Sequence, residues 1–211
     1  SHQLRTPLAV LKVQVQSALR GDIDAHQALH DISHTVDRAT LLANQMLALA
    51  KVEQLRQQPG AAPVDLGEIT RAVALDLSPL VAERDLDFSM ETTATPVRAH
   101  DWMLRELTRN LLHNAIKHSP DGAPLVVRVA AQDGQAMLTV SDRGPGIDDE
   151  LRQRLFQPFS AGNARTGSGL GLAICREIVA ALEGEIELSN HTGPEPAAGL
   201  DATVRLPLAD G

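Results

Sequence analysis

The sequence predicts an α+β protein with a helical hairpin at its N-terminus and a mixed domain after it. Three observations lead to this prediction. Apolar residues recur every three or four positions up to about residue 56, which is the period of an amphipathic helix. A segment rich in Pro and Gly then interrupts that pattern. Beyond it, alternating apolar runs typical of strands interleave with helical stretches, without regular βαβ units.

The first predicted helix starts near Leu4 and carries an apolar stripe with coiled-coil-like spacing. The residues of the stripe are Leu4, Leu8, Leu11, Val15 and Ala18. Residues 20–24 are predicted as a turn, with Asp24 as the N-cap of a second helix over Ala25–Arg56. Two such apolar faces are too wide to bury each other. A homodimer that doubles the hairpin into a four-helix bundle is therefore favoured over an intramolecular hairpin alone.

The predicted linker covers residues 58–64 and divides the chain into an N-terminal unit, 1–57, and a second unit, 65–208. Helices are predicted near Leu66–Glu83, Asp101–His118, Asp148–Leu155 and Leu170–Leu182. Strands are predicted near Leu86–Glu91, Leu125–Ala131, Ala136–Ser141, Glu185–Ser189 and Ala202–Leu206. Asp133-Gly134, between two alternating apolar runs, predicts a tight β-hairpin.

Composition narrows the possible functions. The 211 residues are 43% hydrophobic, with one Trp, three Phe and no Tyr, so the core must be aliphatic. A net charge of −8 argues against nucleic acid as a partner. A lone cysteine, Cys175, excludes an internal disulfide and fits a reducing compartment. No apolar run approaches the roughly 20 residues that span a bilayer. Because the chain starts directly on a motif, we expect any membrane link to come from a missing N-terminal segment.

Two glycine-rich runs could hold an anionic ligand. Gly144 and Gly146 follow a predicted strand, and residues 167–172, Gly-Ser-Gly-Leu-Gly-Leu, open a predicted helix. Glycine lets the backbone approach a ligand and direct N–H groups at its oxygen atoms. Neither run fits a P-loop or the dinucleotide-binding pattern. Each alone is as consistent with a turn as with a nucleotide site.

A polar face on the helix before them favours the nucleotide site. Asn110, Asn114 and Lys117 are spaced to project from one side of the helix. Two amide oxygens can share a Mg²⁺ ion held mainly by phosphates and water, and a lysine can neutralise phosphate charge. The alternative is a polar stripe that only faces solvent, with Leu111 and Ile116 on the buried side.

Together these motifs resemble those of the sensor histidine kinases of two-component signalling, over nearly the whole chain. The matching segments are 1–8 (H-box), 110–117 (N-box), 142–146 (G1 box), 155–159 (F-box) and 167–172 (G2 box). Their order is also that of the family. The resemblance implies a dimerisation and phosphotransfer hairpin in 1–57, followed in 65–208 by an α/β sandwich ATP-binding domain of the Bergerat (GHKL) type.

The resemblance also implies a role for each matched residue. His2 would be phosphorylated by ATP, and Asn114 would coordinate Mg²⁺. Asp142 would accept a hydrogen bond from the adenine amino group, and Gly146 would leave room for the base. A lid over ATP would be formed by residues 157–168. Further nucleotide contacts would come from Asn110, Lys117, His118, Gly144, Ile147, Phe159, Arg165, Gly167, Ser168, Gly169, Leu170, Gly171, Leu172 and Thr203.

Three departures from the family pattern affect the expected activity. Gln3 replaces the usual acidic residue after the histidine, and an amide can orient the imidazole but cannot take its proton. His118 replaces a common tyrosine, and the lid is short. Thr6, one turn after His2, either helps to align water for dephosphorylation of a partner or is simply an exposed hydroxyl.

The favoured function is therefore the cytoplasmic portion of an inner-membrane sensor histidine kinase. It would phosphorylate His2 and then transfer the phosphoryl group to an Asp of a response regulator. One alternative is a member that acts mainly as a phosphatase of that regulator, which Gln3 supports. Another is a non-catalytic, nucleotide-sensing scaffold. His26, His30 and His34 share one helical face, which is a weak match to a metal site.

Overall fold

The computed structural model describes residues 2–58, 61–147, 171–191 and 199–209, with side chains from Arg5 onward. The predicted helix at 148–155 and the predicted lid at 157–168 lie outside these residues. Among the helices described, none is long and apolar enough to cross a membrane.

The N-terminal hairpin consists of α1 (His2–Arg20) and α2 (Ala25–Arg56). As predicted, Asp24 caps α2: its carboxylate accepts hydrogen bonds from the backbone N–H groups of His26 at 3.0 Å and Gln27 at 3.3 Å. Between the two helices, the Thr35 hydroxyl contacts the Gln14 side-chain oxygen at 2.9 Å. This polar contact joins the two helices.

Much of the apolar surface of the hairpin stays exposed. Leu8, Val13, Leu19, Leu29 and Leu47 are among the side chains left open to solvent. Leu8 and Val15 belong to the stripe predicted for the first helix, and both are exposed in the single chain. Burying a leucine side chain is worth about 1.5–3 kcal/mol. The exposed surface is therefore a strong driving force for association.

The remainder of the chain is built from four helices and seven strands among the described residues. The helices are α3 (Leu66–Asp76), α4 (Ser78–Glu83), α5 (Asp101–His118) and α6 (Gly171–Ala181). The strands are β1 (Pro63–Asp65), β2 (Asp87–Thr92), β3 (Pro96–Arg98), β4 (Pro124–Gln132), β5 (Gln135–Ser141), β6 (Glu185–Asn190) and β7 (Leu200–Pro207). The predicted α+β class is confirmed.

Five strands form one sheet in the order β2-β4-β5-β7-β6. β2 and β4 are parallel, whereas the other neighbours are antiparallel. Along β4, β5 and β7 every second side chain is buried, which is typical of a sheet covered on one face. The helices α3, α5 and α6 supply that cover, with Leu104, Leu107 and Ile174 fully buried against it.

The predicted hairpin turn is confirmed by backbone geometry. Asp133 and Gly134 both have positive φ, 51° and 75°, and they form the two-residue loop between β4 and β5. This is the combination expected of a type I′ turn, whose twist matches that of the strands.

The prediction of one helix over Leu66–Glu83 is wrong, because the structure breaks it at Leu77 into α3 and α4. Pro79 has no N–H to donate to the Leu75 carbonyl. The Ser78 hydroxyl donates to that carbonyl instead, at 2.8 Å. The break also lets the Leu77 side chain turn into the core.

The strands β1 and β3 were not predicted. Each has three residues, and they pair with each other in a separate two-stranded sheet. Pro63 and Val64, at the end of the predicted linker, lie in β1. The linker at 58–64 stays a prediction, and these two residues belong to regular structure.

The C-terminal half of α2 packs against the second part of the chain. Ala48 and Val52 belong to the same buried cluster as the core under the sheet. Leu42 packs with Ala173 of α6. The Lys51 ammonium lies 4.4 Å from the centre of the Trp102 ring on α5. A cavity of about 390 Å³ borders this contact.

Candidate nucleotide site

The helix α5 presents the polar face predicted from its sequence. Leu111, Leu112 and Ile116 are buried, while Asn110 and Asn114 are half-buried on the other side. The bounds of the helix, Asp101–His118, agree with the prediction. The two asparagines are thus held on a rigid element whose apolar side is locked into the core.

Asn110 is oriented by the turn before it. Its Nδ2 donates to the Glu106 carbonyl at 2.8 Å and to Glu106 Oε1 at 3.0 Å. The start of α6 lies directly opposite: a Cβ atom on Gly171 would be 3.0 Å from Asn110 Oδ1 and 3.8 Å from Asn114 Nδ2. The structure therefore brings one end of the second glycine run against the polar face of α5.

The loop after β5 begins with a buried carboxylate, Asp142, which is only 6% exposed. Its Oδ1 accepts a hydrogen bond from the Gly144 N–H at 2.7 Å, and its own N–H donates to the Leu200 carbonyl at 2.9 Å. Burial raises the pKa of Asp142, and these backbone hydrogen bonds oppose that rise. The carboxylate is held in one orientation and kept from water, and it can accept further hydrogen bonds.

At Gly144 this loop packs closely against the end of α5. A Cβ atom at this position would lie 2.7 Å from the His118 carbonyl oxygen, so the approach is open only to glycine. Gly146 has φ of 71°, and Ile147 is half-buried against the core. The first glycine run, Asp142 and the end of α5 therefore form one continuous surface.

Three basic side chains extend that surface: His113, Lys117 and His118. Burial lowers the pKa of all three, and the Lys117 charge further lowers the pKa of both histidines. Asp142 acts on the pKa of His118 in the opposite direction. A bound polyanion would favour the protonated form of each of these groups.

Thr203 lies on β7 between the buried residues Ala202 and Val204, so its side chain is on the other face of the sheet from the one that the helices cover. It faces Thr139 on β5, with 3.5 Å between their hydroxyl oxygens, and is two residues from the Ser141–Asp201 pair that precedes Asp142. Leu172 is half-buried at the start of α6 and packs against the core.

Phe159, Arg165, Gly167, Ser168, Gly169 and Leu170 lie outside the described residues. The backbones of His2 and Gln3 form the start of α1, but their side chains also lie outside the description. Thr6 is exposed on α1.

The predicted histidine face on α2 is exposed at His26, His30 and His34. His30 Nδ1 lies 3.8 Å from Asp31 Oδ1. Within the described part of the chain, no group of three or more His, Cys, Asp or Glu side chains could hold a metal ion. Cys175 is fully buried, and burial raises the pKa of its thiol, so it acts as a core residue.

Two residues of the site were missed by sequence reasoning. The Asn190 side chain makes two hydrogen bonds to the backbone of Ile147. His191 joins Asp201, with 2.6 Å between Nε2 and Oδ1, and its Nδ1 lies 3.2 Å from Arg143 Nη1. No local sequence signal marks them, because their partners are far away along the chain.

Comparison with known families decides the class of this site. Residues 101–210 match the model of the histidine kinase-, DNA gyrase B- and HSP90-like ATPases. Residues 1–55 match the His Kinase A (phospho-acceptor) domain.

The chain belongs to the histidine kinase family.

Relatives and solved structures of the family agree with this placement. Sensor protein QseC of Salmonella typhi is 35% identical over 97% of this chain, which spans 45% of that protein. The histidine kinase AdeS of Acinetobacter baumannii is 25% identical and superimposes with a TM-score of 0.77, over 100% of this chain and 99% of that one. Full-length ShkA in complex with AMPPNP is also 25% identical, with a TM-score of 0.70 over 100% of this chain and 45% of that one. The chain thus spans less than half the length of the curated relative.

The family assignment confirms the predicted resemblance. It also accounts for the polar face of α5 and for the glycine-containing loop after β5. An ATPase domain of this family implies ATP binding. The hairpin followed by a sheet domain is the arrangement that this chain shares with the histidine kinase AdeS.

Proposed function

We propose that the chain is the cytoplasmic catalytic portion of a sensor histidine kinase that transfers the γ-phosphoryl group of ATP to His2. The observation that carries the proposal is the meeting of three elements. The start of α6 faces the asparagine side of α5, and the loop that carries the buried Asp142 carboxylate packs on the end of the same helix. Residues 1–55, which match the phospho-acceptor domain, contain the hairpin that would bear the accepting histidine.

Within this proposal, Asp142 accepts a hydrogen bond from the adenine amino group at the closed end of the site. Gly144 and Gly146 keep the backbone close enough for the base to fit. Ile147 packs beneath the base, whereas Thr203 lies on the other face of the sheet. A buried carboxylate that is already oriented by the Gly144 N–H loses little freedom when the base arrives.

The phosphate end of the proposed site lies along α5. Lys117 and His118 neutralise phosphate charge, and Asn110 and Asn114 supply amide oxygens. The residues present fit Mg²⁺, because a hard cation shared with phosphates needs few protein ligands, and amide oxygens suit it. Asn114 would hold the ion, which would neutralise charge on the phosphates. The lid residues Phe159 and Arg165 and the run Gly167, Ser168, Gly169, Leu170, Gly171 and Leu172 would close over them.

The proposed reaction needs alignment and charge neutralisation more than covalent work by the protein. A ring nitrogen of neutral His2 attacks the γ-phosphorus. The bond from that phosphorus to the bridging oxygen breaks, ADP leaves, and the imidazole releases its other proton. Gln3 can orient the ring through a hydrogen bond, and the proton then passes to solvent.

We also propose that the exposed apolar face of the hairpin pairs two copies into a four-helix bundle. The phosphoryl group on His2 would then pass to an Asp of a response regulator. Residues 1–57 would form the dimerisation and phosphotransfer unit, and 65–208 the catalytic domain. A missing N-terminal segment would connect the protein to the inner membrane.

The first test is transfer of labelled γ-phosphate from Mg-ATP to the full 211-residue chain. We expect label that is lost in acid, and no label in His2→Ala or Asn114→Ala. His34→Ala is the matched control, since it removes an exposed histidine from the same hairpin. Label that persists in His2→Ala would overturn the assignment of the accepting residue.

Gln3 and Thr6 favour a second candidate function, dephosphorylation of the partner regulator. Its test uses a response-regulator receiver domain that is chemically phosphorylated and then incubated with the chain. Faster loss of phosphate than in buffer, combined with weak labelling of His2, would favour the phosphatase. Strong labelling without this acceleration would favour the kinase.

A further inference from the structure

Asn190, the last residue of β6, binds the loop after β5 through both the oxygen and the nitrogen of its side-chain amide. Its Oδ1 accepts a hydrogen bond from the Ile147 N–H at 2.8 Å, and its Nδ2 donates to the Ile147 carbonyl at 2.6 Å. This two-point pairing fixes the orientation of the amide, because a rotated amide would place two donors together and two acceptors together. The bonds connect residues 43 positions apart.

Gly146, next to Ile147, leaves space for the Asn190 side chain. A Cβ atom on Gly146 would lie 2.8 Å from Asn190 Oδ1, which is too close for any side chain at that position. Gly146 also has a positive φ of 71°, which glycine adopts without strain. Asn190 therefore occupies the space that a larger residue at 146 would fill, and the two positions are complementary.

The next residue holds the other side of the same loop. The Arg143 guanidinium can only donate, so His191 Nδ1 is the acceptor of the 3.2 Å contact between them. His191 Nε2 then carries the hydrogen and donates to Asp201 at 2.6 Å. The end of β6 thus contacts the loop on both sides of Gly144-Pro145-Gly146.

At its beginning the loop is fixed by Asp142, whose carboxylate and N–H are both in hydrogen bonds. Asn190 supplies the second fixed point at Ile147. A short segment tied at both ends has few conformations left to lose when a ligand binds. This matters because the same segment carries the carboxylate and the glycines that would surround the base.

We propose that Asn190 is a positioning residue for the adenine-binding loop. By bonding both backbone groups of Ile147 it holds Gly146 open and keeps Ile147 beneath the base before ATP arrives. The inference rests on the proposed function of the site. It adds a residue from outside the five motifs and assigns its effect to the base end of ATP, not to the phosphates.

The test compares Asn190→Ala, Asn190→Leu and the control Ser189→Ala, one residue earlier on β6, in the full chain. Calorimetry gives the dissociation constants of Mg-ATP, Mg-ADP and adenosine, and competition gives that of inorganic tripolyphosphate. We expect Asn190→Ala to weaken ATP, ADP and adenosine by the same factor, about tenfold for the loss of two hydrogen bonds. Binding of tripolyphosphate should stay within twofold of wild type, as should every constant of Ser189→Ala.

Asn190→Leu separates hydrogen bonding from packing, since leucine keeps the branched shape of asparagine without its polar groups. The inference requires it to lose as much affinity as Asn190→Ala. Recovery of wild-type affinity in Asn190→Leu would overturn the inference. We also expect faster hydrogen exchange at the Ile147 N–H in both variants, measured without ligand, because both variants remove the Asn190 oxygen that accepts this hydrogen bond.

The outcomes distinguish this inference from the proposed function. Wild-type protein that binds no ATP would overturn the proposed function and the inference with it. Wild-type protein that binds ATP, with equal binding by Asn190→Ala, would overturn the inference alone. Equal weakening of ATP and tripolyphosphate would also overturn it, because that pattern indicates general disruption of the site.

Discussion

Replacing Asp142 by Asn should make the ligand-free protein more stable and the nucleotide complex weaker. The carboxylate is 6% exposed, and burial raises its pKa, so the fold without ligand disfavours the charged form. An asparagine has nearly the same shape and can still accept the Gly144 N–H through its oxygen. Its NH₂ group, however, would face the adenine amino group, donor against donor.

The size of the binding defect follows from the hydrogen bond that is lost. A hydrogen bond to a charged group is worth about 1.5–3 kcal/mol, which corresponds to roughly a 10- to 150-fold change in affinity. The short 2.7 Å bond from Gly144 to Oδ1 leaves the carboxylate already aligned for a ligand. We therefore expect ATP and ADP to weaken by a factor in the upper half of that range.

The stability effect has a defined pH dependence. A carboxyl group whose pKa in the folded state exceeds its ordinary value of 3.8 stabilises the fold when it is protonated. That contribution is lost as the pH rises through the raised pKa. The melting temperature of Asp142→Asn should therefore exceed that of wild type by a margin that grows across this window and is constant at neutral pH.

Two measurements check the prediction: thermal unfolding without nucleotide over the acidic to neutral range, and calorimetric titration with Mg-ATP at neutral pH. Asp87→Asn, at an exposed position on β2, serves as a control for removal of a carboxylate. A variant that is less stable than wild type at neutral pH would refute the electrostatic reasoning. Unchanged ATP affinity would refute the assignment of Asp142 to the base.

Three further predictions concern packing and charge. Leu107→Ala should lower the free energy of unfolding by about 2–5 kcal/mol in urea titrations, because the side chain is fully buried, whereas exposed Leu75→Ala should change it by less than about 0.5 kcal/mol. Gly144→Ala should cost about 1–3 kcal/mol, since its Cβ would meet the His118 carbonyl at 2.7 Å; Pro145→Ala, at an exposed position, is its control. ATP binding should take up protons near neutral pH, because burial lowers the pKa of His118 in the free protein and bound phosphate would raise it again. Calorimetry in two buffers measures this uptake, which His118→Phe should reduce.

Each of these predictions has a contrary result. Equal effects of Leu107→Ala and Leu75→Ala would contradict the core described under the sheet. A Gly144→Ala variant as stable as Pro145→Ala would mean that the loop does not pack closely on α5. Identical proton uptake by wild type and His118→Phe would place the phosphates away from that imidazole.

The sequence predicted best those features that local chemistry determines. The bounds of α2 agree because Asp24 has an obvious capping role, and the β4–β5 turn agrees because Asp133-Gly134 suits positive φ. The helix α5 agrees because its apolar and polar faces are sharply divided. In these cases a few neighbouring residues decide the conformation.

Features that depend on distant partners were missed. The strand order β2-β4-β5-β7-β6 and the three-residue pair β1–β3 require pairings that no short window contains. The break at Leu77 was missed even though its cause, Pro79, is visible in the sequence, because the apolar period continues across it. Asn190 looks like an ordinary strand-end residue until the fold brings Ile147 to it.

The position of Trp102 gives this protein a built-in optical probe. It is the only tryptophan in a chain that has no tyrosine, so its fluorescence reports on one place alone. That place is the contact between α5 and α2, where the indole ring lies under the Lys51 ammonium at 4.4 Å. If the hairpin and the nucleotide-binding part separate during turnover, the ring loses its cation and gains water, and its emission shifts to longer wavelength. The movement between the two halves of the chain can thus be followed in unlabelled protein.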